Sequence, residues 1–181
     1  MSVVSDAAQA PRRKVNLGPS DMTVEKRPDG TMIAALPHAL GPYPDKATDK
    51  LDHWAKAAPD RVFLAQRDGG GPWRTITYAE AHASVRAMAA ALLQRDLSPE
   101  RPIVILSGND LGQALLGLAA QYIGVPFAPV SPAYSTVSQD FGKLRHIFGL
   151  LKPGLVYATS AAPIARAIET VVPVVSLMAP S

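Results

Sequence analysis

The stretch Ile103-Val104-Ile105-Leu106-Ser107-Gly108-Asn109 opens the part of the chain that decides the fold. An apolar segment with helical spacing follows it, and the chain then reads Gly124-Val125-Pro126-Phe127-Ala128-Pro129-Val130. Continuous apolar runs that alternate with helices are typical of parallel strands that are buried on both faces. We therefore predict a strand, a buried helix and a second, parallel strand.

The same alternation extends towards the end of the sequence. It predicts strands at 103–107, 126–130, 155–159 and 173–177, and helices at 110–123, 138–151 and 163–170. Gly112 and Gly117 should allow close packing against the first of these helices. Parallel strands with helical connections require right-handed crossovers, so we expect helices on both faces of the sheet. The fold class is α/β, with a Rossmann-like βαβ sheet.

Local signals organise the chain before this sheet. A short helix is predicted from 51 to 58, and a β-hairpin from 61–66 and 73–77 around the turn Gly69-Gly70-Gly71. Thr77 and Glu80 have capping-box spacing, so a helix should begin there, with His82 on its solvated side. Residues 1–50 are rich in Pro, Gly, Asp and Lys and predict an extended arm with turns at 28–30 and 41–44. We divide the chain into this arm, 1–50, and one folded body, 51–181.

Composition excludes several classes of protein. The 181 residues are 48% hydrophobic and carry a net charge of +3 with no cysteine, so disulfides and thiolate metal sites are excluded. The apolar stretch 114–130 is interrupted by proline and glycine and is too short to span a membrane. The basic residues Arg12, Arg13 and Lys14 predict a solvated tail rather than a nucleic-acid contact. We expect a cytoplasmic protein with no nucleic-acid or membrane partner.

The usual catalytic motifs are missing from the sequence. It contains neither the glycine pattern of dinucleotide-binding folds nor the serine elbow of α/β hydrolases. The glycine run at 69–71 is followed by Pro72, Trp73 and Arg74 rather than by the lysine of a phosphate loop. The four histidines are far apart, with no metal-binding spacing. We nominate no catalytic residue and no metal ligand.

Two loops lie at the carboxyl edge of the predicted sheet, where ligands bind in open α/β folds. In the first loop, 107–110, Asn109 or Asp110 should cap the following helix. The second, 131–138, is rich in hydroxyl groups, and Ser138 should cap the helix that begins there.

Several segments together resemble the AMP-forming acyl- and aryl-CoA ligases of the adenylate-forming superfamily, and most closely the feruloyl-CoA synthetases. The resemblance covers about 41 to 159, and the segments that carry it are Gly41-Pro42-Tyr43-Pro44, Ala58-Pro59-Asp60-Arg61-Val62, Thr75-Ile76-Thr77-Tyr78-Ala79-Glu80, Val104-Ile105-Leu106-Ser107-Gly108-Asn109, Ala128-Pro129-Val130-Ser131-Pro132-Ala133-Tyr134-Ser135 and Phe141-Gly142-Lys143-Leu144-Arg145-His146-Ile147. The last two are the most specific.

The resemblance implies that 51–181 is an incomplete N-terminal subdomain of an AMP-binding (adenylation) enzyme. The parent reaction would join a phenolic acid to coenzyme A with ATP and Mg²⁺. The family's Ser/Thr/Gly-rich loop ending in Lys-Gly, its Thr-Glu segment, its ribose-binding Asp and its mobile Lys have no match here. We therefore expect the chain alone to be inactive and to bind none of these cofactors tightly.

One binding role carries over from the resemblance. In related ligases the loop matching Ser131, Pro132, Ala133 and Tyr134 lies near the channel for the pantetheine arm of coenzyme A. These residues would line that channel, or the loop is purely structural. A rival for the whole chain is a non-catalytic α/β binding or interaction module derived from the ligase N-terminus. For the ligase fragment, self-association through exposed sheet surface is expected.

Overall fold

The computed structural model describes residues 15, 18, 21–67 and 69–171, and the backbone of Ser176–Met178. The chain divides into two compact units, Met1–Tyr43 and Pro44–Ser181. The assignment of 1–50 as an arm and 51–181 as a partial adenylation subdomain stays a prediction.

The first unit contains a β-hairpin. Strands β1 (Thr23–Lys26) and β2 (Met32–Ala35) pair antiparallel. Gly30 has a φ of 86°, which favours glycine, and Asp29 accepts a 2.9 Å hydrogen bond from the Thr31 backbone N–H. That hydrogen bond lowers the pKa of the Asp29 carboxyl. The turn at 28–30 was predicted, but the two strands beside it were not.

The second unit begins with a helix, a hairpin and a longer helix. These are α1 (Asp49–Ala57), β3 (Val62–Arg67), β4 (Trp73–Thr77) and α2 (Tyr78–Leu92). The capping box is present, because Thr77 Oγ1 accepts from the Glu80 N–H at 3.3 Å and Glu80 Oε2 accepts from the Thr77 N–H at 2.8 Å. The hairpin and the start of α2 are confirmed.

A parallel sheet and its helices make up the rest of this unit. The elements are β5 (Ile103–Ile105), α3 (Leu111–Tyr122), β6 (Phe127–Pro129), α4 (Ala133–Thr136), α5 (Gly142–Leu151), β7 (Leu155–Tyr157), a 3-10 turn (Ala162–Ile164), α6 (Ala165–Val171) and β8 (Ser176–Met178). All pairings in the sheet are parallel, in the order β6-β5-β7-β8. The α/β prediction is confirmed.

Helices cover both faces of this sheet. Alternate residues of a strand point to opposite faces. Ile103 and Ile105 accordingly pack with residues of α2 and α3, whereas Val104 packs with residues of α5 and α6. All three of these side chains are fully buried.

The two glycines of α3 lie where the helix meets its neighbours. A Cβ atom on Gly117 would be 2.9 Å from the ring of Phe127, and one on Gly112 would overlap the hydroxyl of Tyr157. The predicted close approach of this helix is confirmed.

The strands are shorter than the predicted ones. Leu106 N–H still donates to the Tyr157 carbonyl at 2.8 Å, but β5 and β7 end at Ile105 and Tyr157. Their polar extensions hydrogen-bond through side chains instead, as described below. Of the predicted strand at 173–177, the positions 173–175 lie outside the described residues, and β8 includes Ser176 and Leu177.

Strand β6 lies at one end of the sheet in the described part of the chain. Its neighbour β5 donates from the Ile103 N–H to the Pro126 carbonyl at 3.0 Å, and the Val130 N–H donates to the Ile105 carbonyl at 2.8 Å. In a parallel ladder alternate residues of a strand bond to one neighbour. The backbone groups of Phe127 and Pro129 therefore face away from β5.

Candidate functional site

The loops after β5 and β7 meet at the carboxyl edge of the sheet. Ser107 Oγ accepts from the Thr159 N–H at 2.8 Å and lies 3.0 Å from Thr159 Oγ1. Thr159 Oγ1 also donates to Asp110 Oδ2 at 2.5 Å. Asp110 Oδ1 accepts from the Gln113 N–H at 2.7 Å and thereby caps α3, as predicted. These hydrogen bonds fix the two loops to each other.

Tyr157 lies directly beneath this cluster. Its side chain is buried against α3, and a Cβ atom at Gly112 would overlap its hydroxyl. Burial raises the pKa of Tyr157, and the nearby carboxylate of Asp110 raises it further, while a hydrogen bond with Thr159 acts in the opposite direction. The phenol therefore stays neutral at neutral pH and is available there as a hydrogen-bonding group.

The four residues predicted to line the pantetheine channel form one turn at the same edge. Ser131, Pro132 and Ala133 are exposed, and Tyr134 is half-buried in the short helix α4. Lys143 Nζ lies 5.1 Å from the centre of the Tyr134 ring, within the range of a cation–π contact. The turn thus presents a hydroxyl, an aromatic ring and an ammonium group to solvent, and its role in binding stays a prediction.

The prediction that Ser138 caps a helix starting there is wrong. Phe141 has a φ of 52°, in the left-handed region, so α5 cannot extend back beyond Gly142. Ser138 Oγ instead accepts from the Phe141 N–H at 3.1 Å and donates to Asp140 Oδ1 at 3.1 Å. The Gly142 N–H donates to Asp140, which lowers the pKa of that carboxyl.

A second polar cluster joins the first three helices. Asp52 Oδ1 lies 3.0 Å from His82 Nε2 and accepts from the Tyr122 hydroxyl at 2.9 Å. Burial raises the pKa of Tyr122, and so does the hydrogen bond to Asp52. The prediction that His82 is solvated is therefore wrong, because α1 packs against α2 and brings Asp52 to the imidazole. The sequence gives no signal for this cluster, since Asp52 and Tyr122 are 70 residues apart.

A cleft of about 540 Å³ separates the β3–β4 hairpin from the first half of α3. Its walls include Arg67, Trp73 and Gln113, none of which was predicted as a binding residue. The feature of the sequence that pointed to this cleft was Trp73, which lies close to the glycine turn at 69–71.

Among the residues that the structure describes, no three His, Asp or Glu side chains are grouped so that they could hold a metal ion. The helices of the described part are also all too short or too polar to cross a bilayer.

A curated protein matches part of the chain. The chain is 29% identical over 99 residues to a protein of Salinispora arenicola (strain CNS-205) described as a "Probable non-canonical nonribosomal peptide synthetase (NRPS) CymA". This match covers 55% of the chain and 1% of that protein.

Solved structures share the fold. VinN is 25% identical with a TM-score of 0.62, and the match covers 76% of this chain and 32% of VinN. The fatty acyl-adenylate ligase from L. pneumophila, solved with acyl adenylate and pyrophosphate, is 21% identical with a TM-score of 0.59. That match covers 73% of this chain and 22% of the ligase chain. The chain therefore spans a third or less of the length of each of these proteins.

These solved structures have the α/β fold of the chain in common with it. The family model described as "AMP-binding enzyme" matches residues 51–177, which is well over half of the sequence. The chain belongs to the AMP-binding enzyme family.

Proposed function

We propose that this chain is the N-terminal part of an ATP-dependent acid–CoA ligase that acts on a phenolic acid, with feruloyl-CoA as the product. The observation that carries the proposal is the family match over 51–177, combined with the exposed turn of Ser131 and Tyr134 at the sheet's carboxyl edge. A cytoplasmic location belongs to the same proposal, because the reaction would consume ATP and coenzyme A.

The reaction would proceed in two steps. A carboxylate oxygen attacks the α-phosphorus of ATP, an acyl-adenylate forms and pyrophosphate leaves. The thiol of coenzyme A then attacks the acyl carbon, the thioester forms and AMP leaves with the electron pair of the broken C–O bond. Both steps need cationic groups that stabilise phosphoryl charge.

The described residues do not fit the adenylation step. They contain no grouped acidic or histidine ligands for Mg²⁺, and the sequence lacks a lysine-ending phosphate loop. We therefore assign no step of adenylation to this chain and propose that it is inactive by itself.

The turn at 131–134 is better suited to bind coenzyme A than to take part in adenylation. Its exposed Ser131 hydroxyl can hydrogen-bond an amide of the pantetheine arm, and the Tyr134 ring offers an apolar surface to its methylene groups. Lys143 is held over that ring and adds a positive charge for a phosphate group. In this proposal the turn guides the thiol and takes no part in adenylation.

The experiment has two stages. ATP–pyrophosphate exchange with ferulate is measured first on the 181-residue chain, and exchange above a no-protein control would contradict the proposed inactivity. The coding sequence after Ser181 is then read for a Ser/Thr/Gly-rich loop ending in Lys-Gly and, if present, expressed with this chain. The longer protein should make feruloyl-CoA.

A pair of variants of the longer protein tests the turn. Tyr134→Ala should raise the KM for coenzyme A and leave ATP–pyrophosphate exchange unchanged, because only the second step uses the pantetheine channel. Val137→Ala, at an exposed position close to the same turn, is the control. An equal loss of both activities in Tyr134→Ala would show that the residue is merely structural.

One observation favours the alternative of a non-catalytic module. Ser107, Asp110 and Thr159 hydrogen-bond to one another at the sheet edge, so these three side chains have partners without a substrate. The module predicts a downstream sequence without ligase motifs and a chain that is monomeric and folds cooperatively. The ligase fragment predicts self-association, because surface that the rest of the enzyme would cover is left in water.

A further inference from the structure

Strands β1 and β2 form a sheet of only two strands in the described part of the chain. All residues of the two strands are exposed except Ile33, which is half-buried. A hairpin of two strands is marginally stable by itself in water, whereas three or more strands can be stable. The hairpin is therefore stabilised if further strands are added to it.

One face of this hairpin carries apolar side chains. Residues that lie opposite each other in an antiparallel pair share a face, and Val24 lies opposite Ala34. Met32 is two positions from Ala34 and lies on the same face. Val24 is 51% exposed and Met32 66%, and Leu36, which follows β2, is exposed as well. The hairpin thus leaves a row of apolar groups in water.

The register shows which backbone groups lie on the outer edges. The Arg27 N–H donates to the Thr31 carbonyl at 2.8 Å, so these two residues form a hydrogen-bonded pair. Hydrogen-bonded and non-hydrogen-bonded pairs alternate along an antiparallel ladder. Counted from Arg27 and Thr31, the pair of Val24 and Ala34 is a non-hydrogen-bonded one. The backbone N–H and C=O groups of Val24 and Ala34 therefore face outwards, one residue on each edge.

The two edges differ in charge. Strand β1 contains Glu25 and Lys26, and charged residues on an edge strand, lysine above all, oppose the addition of another strand. The segment 32–36 reads Met-Ile-Ala-Ala-Leu and contains neither a charge nor a proline. The β2 edge is thus the one that can accept a further strand.

We propose that the β2 edge pairs with the β2 edge of a second copy of this chain, antiparallel about Ala34. The pairing is self-complementary, because Met32 then lies opposite Leu36 of the second copy and no like charges meet. The two Ala34 residues exchange two backbone hydrogen bonds, and the hairpins join into one four-stranded sheet. Such an edge contact is smaller than the roughly 1,600 Å² of a standard interface, so the dimer is weak and reversible.

This dimer does not depend on the proposed function, because the hairpin lies outside the residues 51–177 that match the family. Hydrogen exchange measured by NMR on the wild-type chain at increasing concentration tests it. The Ala34 and Met32 amides should become more protected as the concentration rises, because they gain acceptors in the dimer. The outward Val24 amide on the β1 edge is the internal control and should not change.

A pair of proline variants then identifies the edge in sedimentation experiments. Ala34→Pro removes an outward N–H and no hydrogen bond within the hairpin. Each dimer loses two hydrogen bonds, so its Kd should rise by about tenfold to a hundredfold. Val24→Pro removes the equivalent N–H from the opposite edge, directly across the hairpin, and should leave the Kd unchanged.

Charge variants test the position of the twofold axis. Ala34→Lys and Ala34→Glu each place two like charges opposite each other in the dimer, so each variant alone should dimerise less than wild type. An equimolar mixture of the two should recover association, because opposite charges then meet. Ala34 is exposed, so neither substitution disturbs a buried contact.

Three results would overturn the proposal. They are amide protection that does not change with concentration, equal effects of the two proline variants, and a mixture of the charge variants that associates no better than its components. The exchange measurement uses the wild-type chain, so it decides the matter even if a variant fails to fold. Association through open sheet surface of the second unit would persist in Ala34→Pro, which separates this result from the outcome for the proposed ligase fragment.

Discussion

Replacing Gly112 by alanine tests the packing of α3 against the sheet. The new Cβ atom would overlap the Tyr157 hydroxyl and lie 3.1 Å from Asp110 Oδ1. Tyr157 is 8% exposed and its ring is rigid, so the hydroxyl cannot simply turn aside. The helix or the tyrosine must shift, and the hydrogen bonds of Asp110 and Thr159 shift with it.

The size of the effect follows from two opposing contributions. Overpacking a core lowers the free energy of unfolding by about 1–3 kcal/mol. Replacing a helical glycine with alanine raises it by about 1 kcal/mol at most. The net loss should be about 1–2 kcal/mol of unfolding free energy. In a domain of this size each kcal/mol changes the Tm by about 2–4 °C, so we expect a Tm lower by about 2–8 °C.

Thermal and urea unfolding followed by circular dichroism measure this loss. Gly149→Ala is the matched control, because a Cβ atom there meets nothing within 4 Å and α5 should gain about 0.5–1 kcal/mol. Gly112→Ala combined with Tyr157→Phe should recover part of the loss, since the overlapping oxygen is gone. The reasoning is refuted if Gly112→Ala is as stable as Gly149→Ala, or if the double variant shows no coupling.

Further predictions concern the other polar contacts and the solution state. Asp52→Ala should cost about 1–3 kcal/mol of stability, because it leaves the Tyr122 hydroxyl without its acceptor, while the exposed Asp60→Ala should change stability by less than about 0.5 kcal/mol; urea unfolding compares them. The Thr77 N–H lowers the pKa of Glu80, so its stabilisation is present above the unfolded pKa and is lost as pH falls. Wild type should thus exceed Glu80→Gln in stability at pH 7, and the difference should shrink as pH falls through the unfolded pKa and vanish only below the lowered pKa of folded Glu80. Burial and then the hydrogen bond to Asp52 raise the pKa of Tyr122, so this contribution is complete below the unfolded pKa. This contribution to the free energy of unfolding should be lost as pH rises above about 10. Tyr122→Phe should therefore show a smaller fall in the free energy of unfolding at alkaline pH. Sedimentation velocity should show self-association that grows with concentration, and a strictly monomeric chain with one sharp melt would favour the non-catalytic module.

Buried strands and local caps could be predicted from the sequence because their causes are local. A strand covered on both faces needs an unbroken apolar run, and 103–106 is one. The capping box of Thr77 and Glu80 uses two residues three positions apart, and Asp110 caps α3 from the position before it. Each of these signals lies within a few residues of the structure that it determines.

The missed features depend on backbone strain or on distant partners. Nothing in the residue type of Phe141 indicates a left-handed backbone, so the start of α5 was placed too early. Asp52 meets Tyr122 only after three helices have packed together. Gln113 lines a cleft together with residues of a hairpin that lies about 40 positions earlier in the chain. The hydrophobic periodicity of a sequence does not indicate contacts between residues that are far apart in the chain.

The proline in strand β6 has a consequence for how copies of this chain could assemble. An extended strand can be added to a sheet only if the outer edge offers alternating donors and acceptors. On β6 the outward backbone groups belong to Phe127 and Pro129, and proline has no N–H to donate. A single amide cannot template a ladder, so fibril-like growth is blocked at this end of the sheet, and copies that associate at the β6 edge must do so through side chains.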